Sequence, residues 1–98
     1  MINNTFATGQ CLCGEVKYSI FLAPLRMAQC HCDDCQKSSG TGHVSIAFFK
    51  QEDVEIKGET SRYSSKTDSG STITRHFCSK CGSRLFGFNT ASENIIGI

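Results

Sequence analysis

Three cysteines fall within six residues in Cys30-His31-Cys32-Asp33-Asp34-Cys35. Packing alone does not call for that density of thiols, but a soft cation does. Thiolates suit zinc, which takes four ligands at about 2.3 Å from sulfur. The run supplies three and leaves a fourth position for water, a substrate thiol or a more distant side chain. Three protein ligands and one open position distinguish catalytic from structural zinc. Four further cysteines stand in two pairs, Cys11-Leu12-Cys13 and Cys78-Ser79-Lys80-Cys81, each followed by glycine. Glycine beside such pairs lets the backbone curl around an ion and aim amides at sulfur. The spacing predicts a four-plus-three partition: Cys11, Cys13, Cys78 and Cys81 as a closed tetrahedral site, and Cys30, Cys32 and Cys35 as an open one. A closed site of this kind contributes folding energy directly, on the order of 10 kcal/mol in small zinc peptides.

The elements that must hold these thiols are short. The chain has 98 residues, 39% of them hydrophobic, and no tryptophan. That is read as a single domain over residues 1–98 with a modest core, for which a metal staple is a common remedy. A net charge of +1 gives no footprint for nucleic acid or an anionic membrane. No apolar run approaches the roughly 20 residues of a membrane span, and the N-terminus lacks the basic start and apolar block of a secretory signal. An odd number of cysteines, seven, without such a signal favours metal over a disulfide framework and places the chain in the cytoplasm.

Strand signals fill the intervals. Thr5 to Ala7 reads as a brief strand. Val16, Tyr18 and Ile20 alternate with Glu15, Lys17 and Ser19, a half-buried strand that Pro24 breaks. Leu25 to Gln29 delivers the chain to Cys30. Asp33 or Asp34 is placed to cap one or two helical turns that Gly40 ends. Val44, Ile46 and Phe48 form the apolar face of the next strand. Val54 and Ile56 mark another, ended by Gly58. Arg62 to Ser65, then Ile73, Arg75 and Phe77, lead to Cys78. Leu85, Phe86 and Phe88 continue, and Ile95 and Ile96 start a last strand. The result is an all-β reading of short strands between turns. Phe48, Phe49, Phe77, Phe86 and Phe88 are its expected core. His43 and His76 are expected at exposed strand positions, and His31 at the surface or beside the ligands. The chain ends on isoleucines that look exposed, so it is expected to be cut short.

Three stretches together carry a resemblance: Gly9-Gln10-Cys11-Leu12-Cys13-Gly14, Cys30 through Gly40, and Phe77-Cys78-Ser79-Lys80-Cys81-Gly82-Ser83-Arg84-Leu85-Phe86. In that order they resemble the glutathione-dependent formaldehyde-activating enzyme family, to which the centromere protein V domain belongs. The resemblance implies an all-β, zinc-stapled sandwich of two packed sheets, similar to the methionine sulfoxide reductase B-like fold. It implies two zinc ions per chain, structural on Cys11, Cys13, Cys78 and Cys81, and catalytic on Cys30, Cys32 and Cys35. It implies a carbon–sulfur lyase that joins glutathione and formaldehyde into S-hydroxymethylglutathione. It further implies a C-terminal strand and tail that this sequence lacks.

The residues are consistent with that chemistry. Attack of a thiol on an aldehyde needs a thiolate and a polarised carbonyl, and zinc favours both. Three anionic sulfurs leave the ion at about −1, so amide donors from residues 36–40 or Lys37 are expected to offset the charge. Lys37 and Gly40 are also the candidate glutathione contacts. The competing readings are a solvated lysine and a turn glycine. The alternative function is a non-catalytic, zinc-stabilised binding module whose second site is closed by His43, His76 or a missing segment. A thiol redox protein using Cys30, Cys32 and Cys35 directly is a third reading.

Overall fold

The computed structural model describes residues 5–98. Nine strands and one short helix follow in the order β1 Ala7–Gln10, β2 Lys17–Ile20, β3 Arg26–Cys30, α1 Asp33–Ser39, β4 Val44–Lys50, β5 Val54–Lys57, β6 Thr60–Lys66, β7 Thr72–Cys78, β8 Arg84–Asn89 and β9 Ile95–Gly97. They make a three-stranded sheet, β1-β2-β5, and a six-stranded sheet, β3-β4-β9-β8-β7-β6. Every pairing is antiparallel. The all-β, two-sheet expectation therefore holds.

The core lies between the sheets. Val16 and Ile20 from the small sheet and its approach meet Phe49, Phe86 and Ile96 from the large one. The alternation in β2 is realised: Val16 and Ile20 are buried and Lys17 is exposed. Tyr18 lies directly over Gly9, its partner on β1, where a Cβ would collide with the ring. The first strand begins at Ala7 and runs on to Gln10, slightly later than expected.

Two expectations about the core are corrected. In β4 the residues that face the core cluster are Ala47 and Phe49. Val44, Ile46 and Phe48 face the other way and line a cavity. Apolar residues cover both faces of this strand, so alternation alone could not say which face met the second sheet. The terminal isoleucines are also not exposed. Ile96 is 0% exposed at the centre of the core. Ile98 exchanges two backbone hydrogen bonds with Ala47, both 2.9 Å, extending the β4–β9 ladder.

The six-stranded sheet carries a row of directly paired residues: Arg26, Phe48, Gly97, Gly87 and Arg75, on β3, β4, β9, β8 and β7. Partners in register point to the same face, so this row lies on the face opposite Phe49 and Phe86. One irregularity matters. His76 pairs with Phe86, but Phe77 pairs with Arg84, so β8 carries one extra residue there. Such a bulge turns the strand over. It puts Arg84 on the face of Phe77 and Arg75, away from Phe86.

Candidate functional site

The structure brings the cysteines into two groups. Sulfurs of Cys11, Cys13, Cys78 and Cys81 lie within 4.8 Å of one another, and so do those of Cys30, Cys32 and Cys35. All seven are free thiols. The sulfur–sulfur separations are 3.6 Å for Cys11–Cys13, 3.7 Å for Cys13–Cys78 and 3.4 Å for Cys30–Cys32. Bonded sulfurs would be about 2.05 Å apart. Four sulfurs at 2.3 Å around one tetrahedral ion would be about 3.8 Å apart, so the donor set and its spacing fit a thiophilic metal ion. Both groups could hold one.

Two matching turns build the four-sulfur group. The N–H of Cys11 bonds the carbonyl of Val16 at 3.0 Å, and that of Cys78 bonds Ser83 at 2.9 Å. Gly14 and Gly82 close them at φ 82° and 74°, a left-handed conformation that suits glycine. The turns aim donors at sulfur: Val16 N at Cys11 Sγ (3.3 Å), and Lys80 and Cys81 N at Cys78 Sγ (3.4 and 3.5 Å). Ser83 hydrogen-bonds Cys81 Sγ at 3.1 Å and accepts from Leu12 N at 3.0 Å, locking one turn to the other. Ser83 accordingly lowers the Cys81 thiol to about 5, and the Val16 amide lowers Cys11. The Glu15 amide favours a Cys13 thiolate, but burial and the three neighbouring sulfurs outweigh it and raise Cys13 to about 12. Four adjacent thiolates need a cation before all can ionise together.

The three-sulfur group sits where β3 ends and α1 begins. Cys32 is the residue that caps the helix, its Sγ accepting from Cys35 N at 3.4 Å; Asp33 and Asp34 occupy the first turn instead. Gly40 closes the helix in a left-handed conformation, as expected. Hydrogen bonds from Cys35 and Cys32 lower the Cys30 thiol, whereas burial chiefly raises Cys35 to about 12. Among the described residues, no His, Asp or Glu completes this group. His31 is exposed and lies 5.1 Å, ring to ring, from His43. His43 precedes β4 and is half-buried, not an exposed strand residue. His76 is half-buried too. It stacks on Phe86 at 4.6 Å and hydrogen-bonds Thr60 at 2.8 Å, and burial, then Arg62, lowers its pKa.

Cys30 and Cys35 open into a cavity of about 410 Å³. Val44, Ile46 and Phe48 form one wall, Gly97 and Gly87 the floor, and Arg75 and Arg84 the far side. Neither Lys37 nor Gly40 lines it; both are exposed at the helix end. The cavity's cations are Arg26, Arg75 and Arg84, which sequence reasoning did not single out. Arg26 lies 4.2 Å over the Phe48 ring. Arg84 Nη1 donates to Ser38 Oγ on α1 at 2.8 Å, and burial and the nearby Arg75 lower its pKa. Arg84 follows the last cysteine pair by three residues, which could have flagged it; the bulge that aims it leaves no mark in the sequence.

A small two-sheet β protein with two thiol clusters suited to metal, one of them open to a cationic cavity, is the class these features define. The chain belongs to the glutathione-dependent formaldehyde-activating enzyme family, whose sequence profile matches residues 6–98. A Halomonas elongata protein provisionally named a glutathione-dependent formaldehyde-activating enzyme is 33% identical over 86 residues. That match covers 83% of this chain and 55% of the relative, so the chain spans about half the relative's length. The fold is shared with a crystal structure of a Rhodobacter sphaeroides protein at TM-score 0.73 and 19% identity, over 94% of this chain and 83% of that one. No helix among the described residues is long and apolar enough to cross a membrane.

Proposed function

We propose that this chain is a carbon–sulfur lyase that holds two zinc ions and uses the open one to join glutathione and formaldehyde. The single observation behind this reading is that the three-sulfur group lacks a fourth protein ligand among the described residues and faces a cavity. Family membership supplies the reactants. Bound zinc would supply Lewis acidity and a stabilised thiolate. Cys11, Cys13, Cys78 and Cys81 would hold the structural ion, and Cys30, Cys32 and Cys35 the other. Arg75 and Arg84 offset the negative charge of three thiolates. The Val44, Ile46 and Phe48 wall keeps the site partly dry, which strengthens those interactions.

The reaction is an addition. The thiol sulfur forms a bond to the aldehyde carbon, the carbonyl π bond breaks, and the thiol proton ends on oxygen as a hydroxyl. The reverse direction breaks the carbon–sulfur bond. Neither direction needs an oxidant or reductant. Seven free thiols suit a reducing compartment, which agrees with a cytoplasmic site of action.

Metal content by mass spectrometry, combined with adduct formation from ¹³C-formaldehyde and glutathione followed by NMR exchange, tests the reading. We expect two zinc ions per chain and faster exchange between free thiol and adduct than in buffer. Zinc-replete protein that leaves the exchange rate at its buffer value overturns it.

A further inference from the structure

We infer that Arg75 and Arg84 form a carboxylate-binding fork in the cavity, so that the small molecule handled there carries an anionic group beside its sulfur or carbonyl. This inference rests on the proposed thiol chemistry of the same site.

Three observations carry it. First, the buried Nε of Arg75 has no hydrogen-bond partner among the described residues. A buried donor left unpaired costs roughly 1–3 kcal/mol, more for a charged group, and calls for an explanation, of which a bound ion is one. Second, among the described residues both guanidiniums are bonded only to neutral hydroxyls, Arg75 to Ser65 at 3.1 Å and Arg84 to Ser38 at 2.8 Å. The ion pairs among the described residues are Lys57–Glu55 and Lys80–Glu15, both remote from the cavity, and no Asp or Glu lines it. Third, the β8 bulge turns Arg84 onto the face of Arg75, and Gly87, paired with Arg75, leaves the space before it open. Without that extra residue Arg84 would point with Phe86 into the core.

Charge counting leads to the same ligand. Three thiolates around a divalent ion leave about −1, and the three cavity arginines bring about +3. The surplus calls for an anion. Planar guanidiniums match a carboxylate in two-point geometry, which an ammonium does not. A role confined to neutralising the sulfurs would make no distinction between anionic and neutral thiols.

Calorimetric titration of the full zinc-loaded chain with N-acetylcysteine and with N-acetylcysteinamide decides between these. The two differ only in carboxylate against amide. The acid is expected to bind at least about tenfold more tightly, the scale of one or two charge-assisted hydrogen bonds. Arg75→Gln and Arg84→Gln should each remove the preference, so that the variant binds acid and amide equally. Arg75→Lys should restore only part of the preference. Zinc content also reports whether Arg84→Gln, which loses its link to α1, still folds. Equal binding of acid and amide by the parent chain overturns the fork and leaves the thiol chemistry standing, as does a preference that survives Arg75→Gln. Binding of neither thiol overturns both.

Discussion

Gly87 and Gly97 face one another across β8 and β9, at the centre of the row that runs from Arg26 to Arg75. Glycine inside a strand costs roughly 0.5–1 kcal/mol relative to alanine, so two in register need a reason. The reason here is space. A Cβ at Gly97 would come 3.0 Å from Ile46 Cγ2 and 3.5 Å from Phe48 Cε1, on the cavity floor. One at Gly87 would come 3.1 Å from the Thr74 carbonyl oxygen. The pair makes a trough between an aromatic wall and two arginines.

Gly97→Val should therefore close the trough. Overpacking against Ile46 is expected to cost about 1–3 kcal/mol of stability, read as a shift in the denaturant midpoint. Affinity for glutathione should fall by at least about tenfold, as expected when side-chain atoms occupy a ligand's volume. The zinc content should stay at the parent value. Unchanged glutathione affinity in a folded Gly97→Val protein would show that the ligand does not lie over β8 and β9.

The sequence displays the thiol clusters far better than the pocket. Cysteine pairs with flanking glycines are local patterns, and the turns at Cys11–Gly14 and Cys78–Gly82 are built from them directly. Strand alternation placed Val16 and Ile20 correctly because one side of that strand is open to solvent. It put Val44, Ile46 and Phe48 on one face, as found, but Phe48 is not in the core because β4 is apolar on both sides, and periodicity cannot say which side meets the second sheet. Arg75 read as one member of an apolar alternation, and Arg84 depends on a bulge set by long-range pairing. Cys32 took the cap because its sulfur reaches the Cys35 amide; the aspartates alongside were the stronger statistical choice.

Single cysteine substitutions should separate the two groups. Cys78 is 1% exposed, belongs to the core cluster and draws on amides of its own turn. Cys78→Ser is expected to give poorly folded protein, since a closed zinc site contributes on the order of 10 kcal/mol. Cys30 is half-buried on the cavity edge. Cys30→Ser should remain folded, with one zinc ion and no catalysed exchange. Near-ultraviolet circular dichroism and metal analysis of both variants provide the check. Equal unfolding by both would mean that the groups share one structural role.

Acid stability should carry a signature of His76. Burial first, and then the Arg62 guanidinium, hold its pKa below the ordinary value of 6.5. The unfolded chain then takes up this proton at a higher pH than the folded one does. The imidazole's contribution is complete above about pH 6.5 and is lost as pH falls from there toward the depressed folded value. His76→Gln removes the ring from Phe86 and Thr60 and should destabilise the protein at pH 7.5. The gap between parent and variant should narrow by pH 5.5. Taking the difference between the two proteins cancels the acid sensitivity of the thiols, which they share. A gap that is constant with pH would mean that His76 titrates in the folded state as it does in a free peptide.

Chelation should empty the two groups in sequence. The four-sulfur group has Cys11 and Cys78 buried, Cys81 half-buried and Cys13 exposed, with Ser83 bridging from Cys81 to Leu12. A chelator can approach on the Cys13 side, but an ion there would already have four protein ligands to give up. The three-sulfur group offers an exposed Cys32, a half-buried Cys30 and a face without a protein ligand among the described residues. Zinc release into a colorimetric chelator should therefore be biphasic, with one equivalent in each phase. The fast phase should vanish in Cys30→Ser and slow when glutathione is present, because a thiol on the open face blocks the chelator's approach. The slow phase reflects four protein sulfurs, two of them buried, that must all release the ion. A single phase, or a fast phase insensitive to glutathione, would place both ions in equivalent cages and remove the physical basis for a thiol-accepting site.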